Sequence, residues 1–328
     1  MLDLKKSIII PAYNAEGTIQ KTIESLKQQE GVDHYEIIVV DDGSTDQTAD
    51  IVKSFPEVKY HYQENAGPAA ARNYGAKSAD GDILFFTDAD CIPHQDWIKN
   101  CLPPFADNNI AVVCGSYGIS NPEFLLATCI HKEILFRHKH LMPFYPRVFG
   151  SYNFAIRKKI FDEVGGFDVG YRHASGEDND LSYKILKKGC KIYFEKNALV
   201  DHTHPTSILK YLMEQNRHGF WRARMYSAHP SMMKGDDYTF WKDVVEVLGV
   251  LFLFVLFLAS FLTDVIPFVV LLITLFFLME MVFGIILSGS LLKGAFFSLI
   301  MILRSFFRTF GFLLGIFSNF GSKADKKH

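Results

Sequence analysis

Between Val244 and Leu287 the chain carries only three charged residues, Glu246, Asp264 and Glu280. No water-soluble fold hides so long an apolar run easily, so this stretch constrains the architecture first. Val244 to Thr263 and Ile266 to Leu287 are each about 20 residues, enough to cross a hydrocarbon core. The break at Asp264 to Pro267 contains no Lys or Arg, so the positive-inside rule turns it away from the cytoplasm. A third apolar stretch, Gly294 to Phe320, carries Arg304 and Arg308 four residues apart on one helical face. Two arginines at bilayer depth are costly, which makes an amphipathic interfacial helix the expectation and a third span the alternative. On that choice Lys293, both arginines, Lys323, Lys326 and Lys327 share the cytoplasmic side. Glu280, inside the second span, is expected to pair with a polar group of a neighbouring helix or a partner subunit.

The residues before this tail have the mixed charge and Gly/Pro punctuation of a globular domain. The expected organisation is a head over residues 1–230, a linker over 231–243, two transmembrane helices over 244–287, the amphipathic helix over 294–320 and a basic end over 321–328. A formal net charge of -2 gives no reason to expect nucleic acid as a partner. Five cysteines form no CxxC pair, and the polar Met1 to Lys6 reads as no signal peptide. Both features place the head in the cytoplasm, against the inner or plasma membrane.

Within the head, Ser7 to Ile10 and Glu36 to Val40 are short apolar runs of the kind that form strands buried on both faces. Helical spacing follows at Thr18 to Gln29, Asp46 to Ser54 and Pro68 to Ser78, and Asp82 to Thr87 reads as the next strand. This alternation predicts an α/β fold with an open, mostly parallel, Rossmann-like sheet. Ala111 to Tyr117 and Tyr152 to Ile156 read as later strands. Glu123 to His140, Asp178 to Lys188 and Ser207 to Tyr226 read as later helices.

The polar residues gather at the carboxyl ends of these strands, where open α/β sheets bind ligands. Pro11-Ala-Tyr13-Asn14 and Asp41-Asp42-Gly-Ser-Thr-Asp46 can together hold a nucleotide base, a carboxylate accepting the N3 proton of uracil while Tyr13 packs on its face. Taken alone, the second segment is also an ordinary turn and helix cap. Asp88-Ala-Asp90 puts two carboxylates on one side of an extended segment, a spacing able to ligate Mg²⁺ or Mn²⁺ against a diphosphate. In Asp201-His-Thr-His204, alternate histidines point the same way, and either His202 or His204 could complete the metal's ligands.

Matched in series, these segments resemble the family 2 glycosyltransferases of GT-A fold over roughly residues 5 to 230. The resemblance is carried by Ser7-Ile-Ile-Ile-Pro-Ala-Tyr-Asn14, Val39-Val-Asp-Asp-Gly-Ser-Thr-Asp46, Asn65-Ala-Gly-Pro-Ala-Ala-Ala-Arg-Asn73 with Gly75, and Phe86-Thr-Asp-Ala-Asp90. Gly150-Ser-Tyr-Asn153, Val164-Gly-Gly-Phe-Asp168 and Gly176-Glu-Asp-Asn-Asp-Leu181 extend it into the acceptor half. It implies that Asp41 and Asp42 contact the base, that Arg72 lies near the nucleotide, and that Asp88 and Asp90 hold metal and donor, with a histidine, His202 ahead of His204, as a further ligand. Gly150, Asn153 and Asp168 fall on the acceptor side. The Glu177-Asp178 pair supplies the catalytic base, with Asp178 chosen and Asp180 read as a helix N-terminal acid.

The function these residues imply is inverting, metal-dependent, non-processive transfer of a sugar, from a UDP-sugar by preference, to a hydroxyl of a lipid-linked or cell-surface glycan. Gln215-Asn-Arg-His-Gly-Phe-Trp221 departs from the Gln-x-x-Arg-Trp signature of processive synthases. A polyprenyl-phosphate glycosyl synthase shares the donor motifs and the tail. A catalytically silent membrane scaffold of the same fold is the alternative from another class, opposed by the intact set Asp42, Asp88, Asp90 and Asp178.

Overall fold

A computed structural model describes residues 4–171, 176–228, 241–261 and 265–324. Packing divides the chain into two compact units, one of residues 1–121 and 142–203, the other of residues 122–141 and 204–328. The expected head of residues 1–230 is therefore split: the segment 122–141, and everything from His204 onward, group with the tail.

The first unit begins β1 (Lys6–Ala12), α1 (Ile19–Lys27), β2 (Tyr35–Asp41), α2 (Thr48–Lys53), β3 (Val58–Tyr62), α3 (Pro68–Ser78) and β4 (Ile83–Thr87). It continues with β5 (Cys91–Pro93), α4 (Trp97–Cys101) and β6 (Ile110–Ile119). After β6 the chain enters the second unit as α5 (Leu125–His140), then returns for β7 (Asn153–Arg157), α6 (Lys158–Glu163), α7 (Glu177–Lys187) and β8 (Lys191–His202). The eight strands form one sheet in the order β3-β2-β1-β4-β7-β6-β8-β5. β1, β2, β3 and β4 pair in parallel, as the alternating pattern predicts. β7 runs antiparallel to both β4 and β6, and β5 antiparallel to β8, so the whole sheet is mixed.

Period-two geometry explains why the strands are apolar throughout. Ile8, Ile10, Val39 and Phe85 face one core, while Ile9, Ile38, Val40 and Phe86 face the other. α3 lies close against β1 because Gly75 has no side chain; a Cβ there would come within 2.5 Å of Ile9. The helix starts after Gly67 in a positive-φ conformation (φ 91°), followed by Pro68 at its first position.

The second unit contains α5, α8 (Ile208–Ala228), α9 (Trp241–Ala259), α10 (Ile266–Ser288) and α11 (Leu291–Ala324). Small residues bring its helices together. A Cβ on Gly219 of α8 would lie 2.1 Å from the Arg308 carbonyl of α11, and one on Gly311 would lie 1.9 Å from the Asn216 carbonyl. Among the described residues, α10 and the Leu291–Ser318 part of α11 are long and apolar enough to cross a membrane, by length and composition. α9 covers residues 244–259 of the expected first span, with Lys242, Asp243 and Glu246 in its opening turns. Residues 262–264 and 325–328 lie outside the described residues.

The tail arginines have partners. Arg304 is buried between Glu133 of α5 and Glu246 of α9, the latter at 2.9 Å. Arg137 reaches Asp243 at 2.7 Å and Glu133 at 2.7 Å, and Arg308 reaches Asp243 at 3.0 Å. Glu280 pairs with Lys242 of α9 at 2.8 Å, and Lys242 also pairs with Glu246. Four cations and four acids are thus joined in one neutral cluster. The cost that argued against arginines at depth is offset by pairing that one helix seen alone does not reveal.

Candidate active site

The carboxyl edge of the parallel strands is held by its own acids. Asn14, at φ 49°, accepts a hydrogen bond from the Thr45 backbone N–H (2.8 Å), and its own N–H donates to Ser44 Oγ (2.9 Å), fixing the loop after β1 to the loop after β2. Asp41 accepts from the Ser44 N–H and from the Tyr60 hydroxyl, both at 2.8 Å. Asp42 accepts from the Gly67 and Ala66 N–H groups, each at 2.9 Å, and from Gln63 Nε2 at 2.6 Å. Both carboxylates are buried, that of Asp42 holding the 63–67 loop, while Tyr13, following Pro11 and Ala12, stands exposed.

β4 delivers Asp88 and Asp90 to the loop before β5. That loop is pinned where the Thr22 hydroxyl donates to the Ala89 carbonyl (3.0 Å) and where the Thr203 N–H donates to the Asp90 carbonyl (3.3 Å). Arg72, 1% exposed, spans the site: Nη2 lies 2.7 Å from Asp88 Oδ1, and Nη1 lies 3.1 Å from Glu177 Oε1. Its guanidinium also sits 5.5 Å from the Phe167 ring. One side chain from α3 therefore ties the Asp88 loop to the start of α7.

α7 opens at Gly176 with φ 97°, and its first residues are Glu177, buried, and Asp178, half-buried. Burial, and then the neighbouring Glu177 charge, push the Asp178 carboxyl up to about 7 from its ordinary 3.8. A carboxyl titrating near neutrality is suited to taking a proton. Asp180 pairs with Lys184 at 2.8 Å, the behaviour of a helix acid.

A metal can be accommodated beside Asp90. Asp90, Cys91 and His202 bring their ligand atoms within 4.8 Å of one another, and His202 Nε2 is 3.7 Å from Asp90 Oδ1. Burial raises the Cys91 thiol well above its ordinary range, so it stays protonated and the effective donors are oxygen and imidazole nitrogen. That set suits Mn²⁺ or Mg²⁺ better than a soft thiophilic ion. Asp88, in the same loop and expected as a ligand, is not a member of this group; one of its oxygens is on Arg72. His204 is not a member of this cluster; it lies in the second unit, its ring 5.7 Å from that of His131.

The family model described as "Glycosyl transferase family 2" matches residues 7–165, the stretch that contains Asp42, Arg72, Asp88 and Asp90. Residues 7–165 thus carry the glycosyl transferase family 2 pattern. A second model, "N-terminal domain of galactosyltransferase", matches residues 131–208. The pre-mycofactocin glycosyltransferase of Mycobacterium tuberculosis is 28% identical over 239 residues, covering 68% of this chain; the chain spans 48% of that relative's length. Among solved structures, a mannosyltransferase from Pyrobaculum calidifontis, in complex with GDP-Man and Mn²⁺, superposes with a TM-score of 0.61 at 16% identity. It covers 96% of this chain and 88% of its own. GalNAc-T7, solved with UDP, GalNAc and Mn²⁺, superposes at 0.50 with 18% identity, covering 67% of this chain and 51% of its own. Both share the GT-A fold.

On this family 2 framework the structure brings Asp88, Asp90, Arg72, Glu177, Asp178 and His202 into one unit. Asn153 spends its side chain inside the sheet: Oδ1 accepts from Trp97 Nε1 at 2.7 Å, and Nδ2 donates to the Ser116 and Ala198 carbonyls at 2.9 Å. Asp168, exposed, closes a turn by accepting from the Gly170 N–H at 2.8 Å. Gly150 is small because Tyr152 fills the space a Cβ would need. Two residues escaped the sequence reading. Tyr117 and Tyr152 stack at 3.8 Å, and His202 meets Tyr117 edge-on at 5.5 Å, forming an aromatic wall beside the Asp90 loop. Only the aromatic at each strand end hinted at it.

Proposed function

We propose that this chain is a membrane-anchored enzyme that transfers a sugar, with inversion, from a nucleotide-sugar donor to a hydroxyl of a lipid-linked or cell-surface glycan. The observation that carries the reading is the Asp88–Arg72–Glu177 bridge, which sets the donor-side acids and the start of α7 at a fixed separation. Asp178 is the group that takes the proton of the attacking hydroxyl, and Glu177, locked on Arg72, holds the helix start in place. A divalent cation on Asp90 and His202, with Asp88 beside it, would supply charge stabilisation for the departing diphosphate. The buried Asp41 and Asp42 shape the base pocket, and exposed Tyr13 offers a ring to the base. UDP is the preferred nucleotide. The tail anchors the chain with its head in the cytoplasm, and the absence of the processive signature at Gln215 to Trp221 supports transfer of single sugars.

The test is turnover of a panel of nucleotide sugars by the detergent-purified full chain, with membrane lipid extract as acceptor. Wild type is expected to turn over a donor only with Mn²⁺ or Mg²⁺. Asp178→Asn is expected to lose at least about 100-fold, as removal of a general base does, and Asp90→Asn to lose activity with the metal. Donor consumption unaffected by both substitutions would overturn the assignment.

A further inference from the structure

We propose that α8 docks on the anionic headgroups of the bilayer through a stripe of three cations, Lys210, Arg217 and Arg224. The proposal rests on the membrane-anchored reading and names the surface that meets the lipid phosphates. α8 buries Tyr211, Leu212, Gln215 and Ala223 along one face, with Gly219 in backbone contact with α11. Lys210, Arg217 and Arg224 follow one another at seven-residue steps, which drift only about 20° around a helix each time, and they lie on the opposite, exposed face. Leu209 and Met213, 63% and 58% exposed, sit beside them.

The stripe differs from the arginines of the ion-pair cluster. Arg137, Arg304 and Arg308 are each paired with an acid. Among the described residues no ion pair engages Lys210, Arg217 or Arg224. Glu214 is the one acid of α8 against four Lys and Arg residues, so the helix has little means of balancing its own charge. Arg224 instead lies 5.1 Å from the Trp221 ring and 5.9 Å from the Phe220 ring. Cations interleaved with exposed Leu209 and Met213 and half-buried Trp221 form the pattern of a helix lying in the headgroup layer. α11, packed on the other face of α8, is itself apolar enough, by length and composition, to cross a bilayer, which fits the proposed membrane anchoring of this unit.

Glu214 stands at four-residue spacing from Lys210, yet no ion pair joins them among the described residues, and Arg224 has no acid three or four residues away on α8. A soluble diphosphate offers the same phosphate chemistry as a lipid headgroup. The geometry favours the bilayer, because the three cations form a line along about 14 residues of helix, some 20 Å, rather than converging on a point.

The experiment places the full chain in nanodiscs of phosphatidylcholine containing an equal mole fraction of either dibrominated phosphatidylglycerol or dibrominated phosphatidylcholine. Trp221 emission is isolated by subtracting the Trp221→Phe variant. Quenching is expected to be about twofold stronger with the brominated anionic lipid, and to equalise in high salt. The triple variant Lys210→Gln, Arg217→Gln, Arg224→Gln is expected to be quenched equally by both lipids, while nucleotide-sugar binding, read as thermal stabilisation, is unchanged. Equal quenching in wild type overturns the proposal, as does a preference that survives in the triple variant. Loss of the preference on adding inorganic pyrophosphate at constant ionic strength would assign the stripe to a soluble diphosphate and also overturn it. Flotation of the chain with pure phosphatidylcholine vesicles after alkaline carbonate washing tests anchoring separately, so failure of the stripe and failure of the anchor are distinguishable.

Discussion

Asp178 is the residue whose surroundings say most about chemistry. Burial and the adjacent Glu177 lift its carboxyl to about 7, so the proposed base is charged above that pH and neutral below it. Turnover at saturating donor and metal is therefore expected to rise with pH through about 7 and to level off above. The same shift has an opposite sign for stability. The folded state holds this proton more tightly than the unfolded chain, so its contribution is present below 3.8 and is lost as pH rises toward about 7. Melting curves of wild type and Asp178→Asn across that window check the second statement, because the variant has no proton to lose. A pH–rate profile with no inflection near neutrality would count against Asp178 as the base.

At the scale of elements, the informative helix is α5, which sits between β6 and β7 in sequence yet folds with the tail helices. Glu133 and Arg137 on α5 join Arg304, Arg308, Lys242, Asp243, Glu246 and Glu280 in one buried cluster. Removing a cation from such a cluster leaves one buried negative charge uncompensated, a loss of roughly 3–5 kcal/mol. Arg304→Leu strips a partner from both Glu133 and Glu246, whereas Glu280→Gln leaves Lys242 its pair with Glu246. Detergent melting is expected to show a much larger fall for Arg304→Leu than for Glu280→Gln. Equal effects would mean that the ion pairs contribute little and that helix packing at Gly219 and Gly311 holds the unit.

For the whole molecule, the two units divide labour along lines the fold makes visible. The first holds the acids, the histidine and the bridging arginine; the second presents long apolar helices around a neutral polar centre. Ligand binding and metal binding are expected to be linked through Asp90 and His202. A UDP-sugar at about 100 times its dissociation constant should stabilise the full chain by about 2.7 kcal/mol when Mn²⁺ is present. Little stabilisation is expected with a chelator, or in Asp90→Asn with Mn²⁺. Stabilisation of equal size in all three conditions would separate the donor pocket from any metal.

Local patterns in the sequence determined a good deal. Apolar runs at Ser7 to Ile10 and Glu36 to Val40 specify strands buried on both faces, because only such strands need no polar side, and the acids after them mark the edge where the site forms. The limits of α3 and α7 follow from Gly67, Pro68 and Gly176, whose backbone preferences act within a few residues. Long-range pairing was decided only by the tertiary structure. Nothing near Arg72 in sequence says that it bridges Asp88 and Glu177, 16 and 105 residues away. Likewise Arg304 reads as too costly for an apolar helix until Glu133, 171 residues distant, is folded against it. Charge burial depends on partners, and partners so far apart in the chain are chosen by the packing of whole elements rather than by the residues beside them.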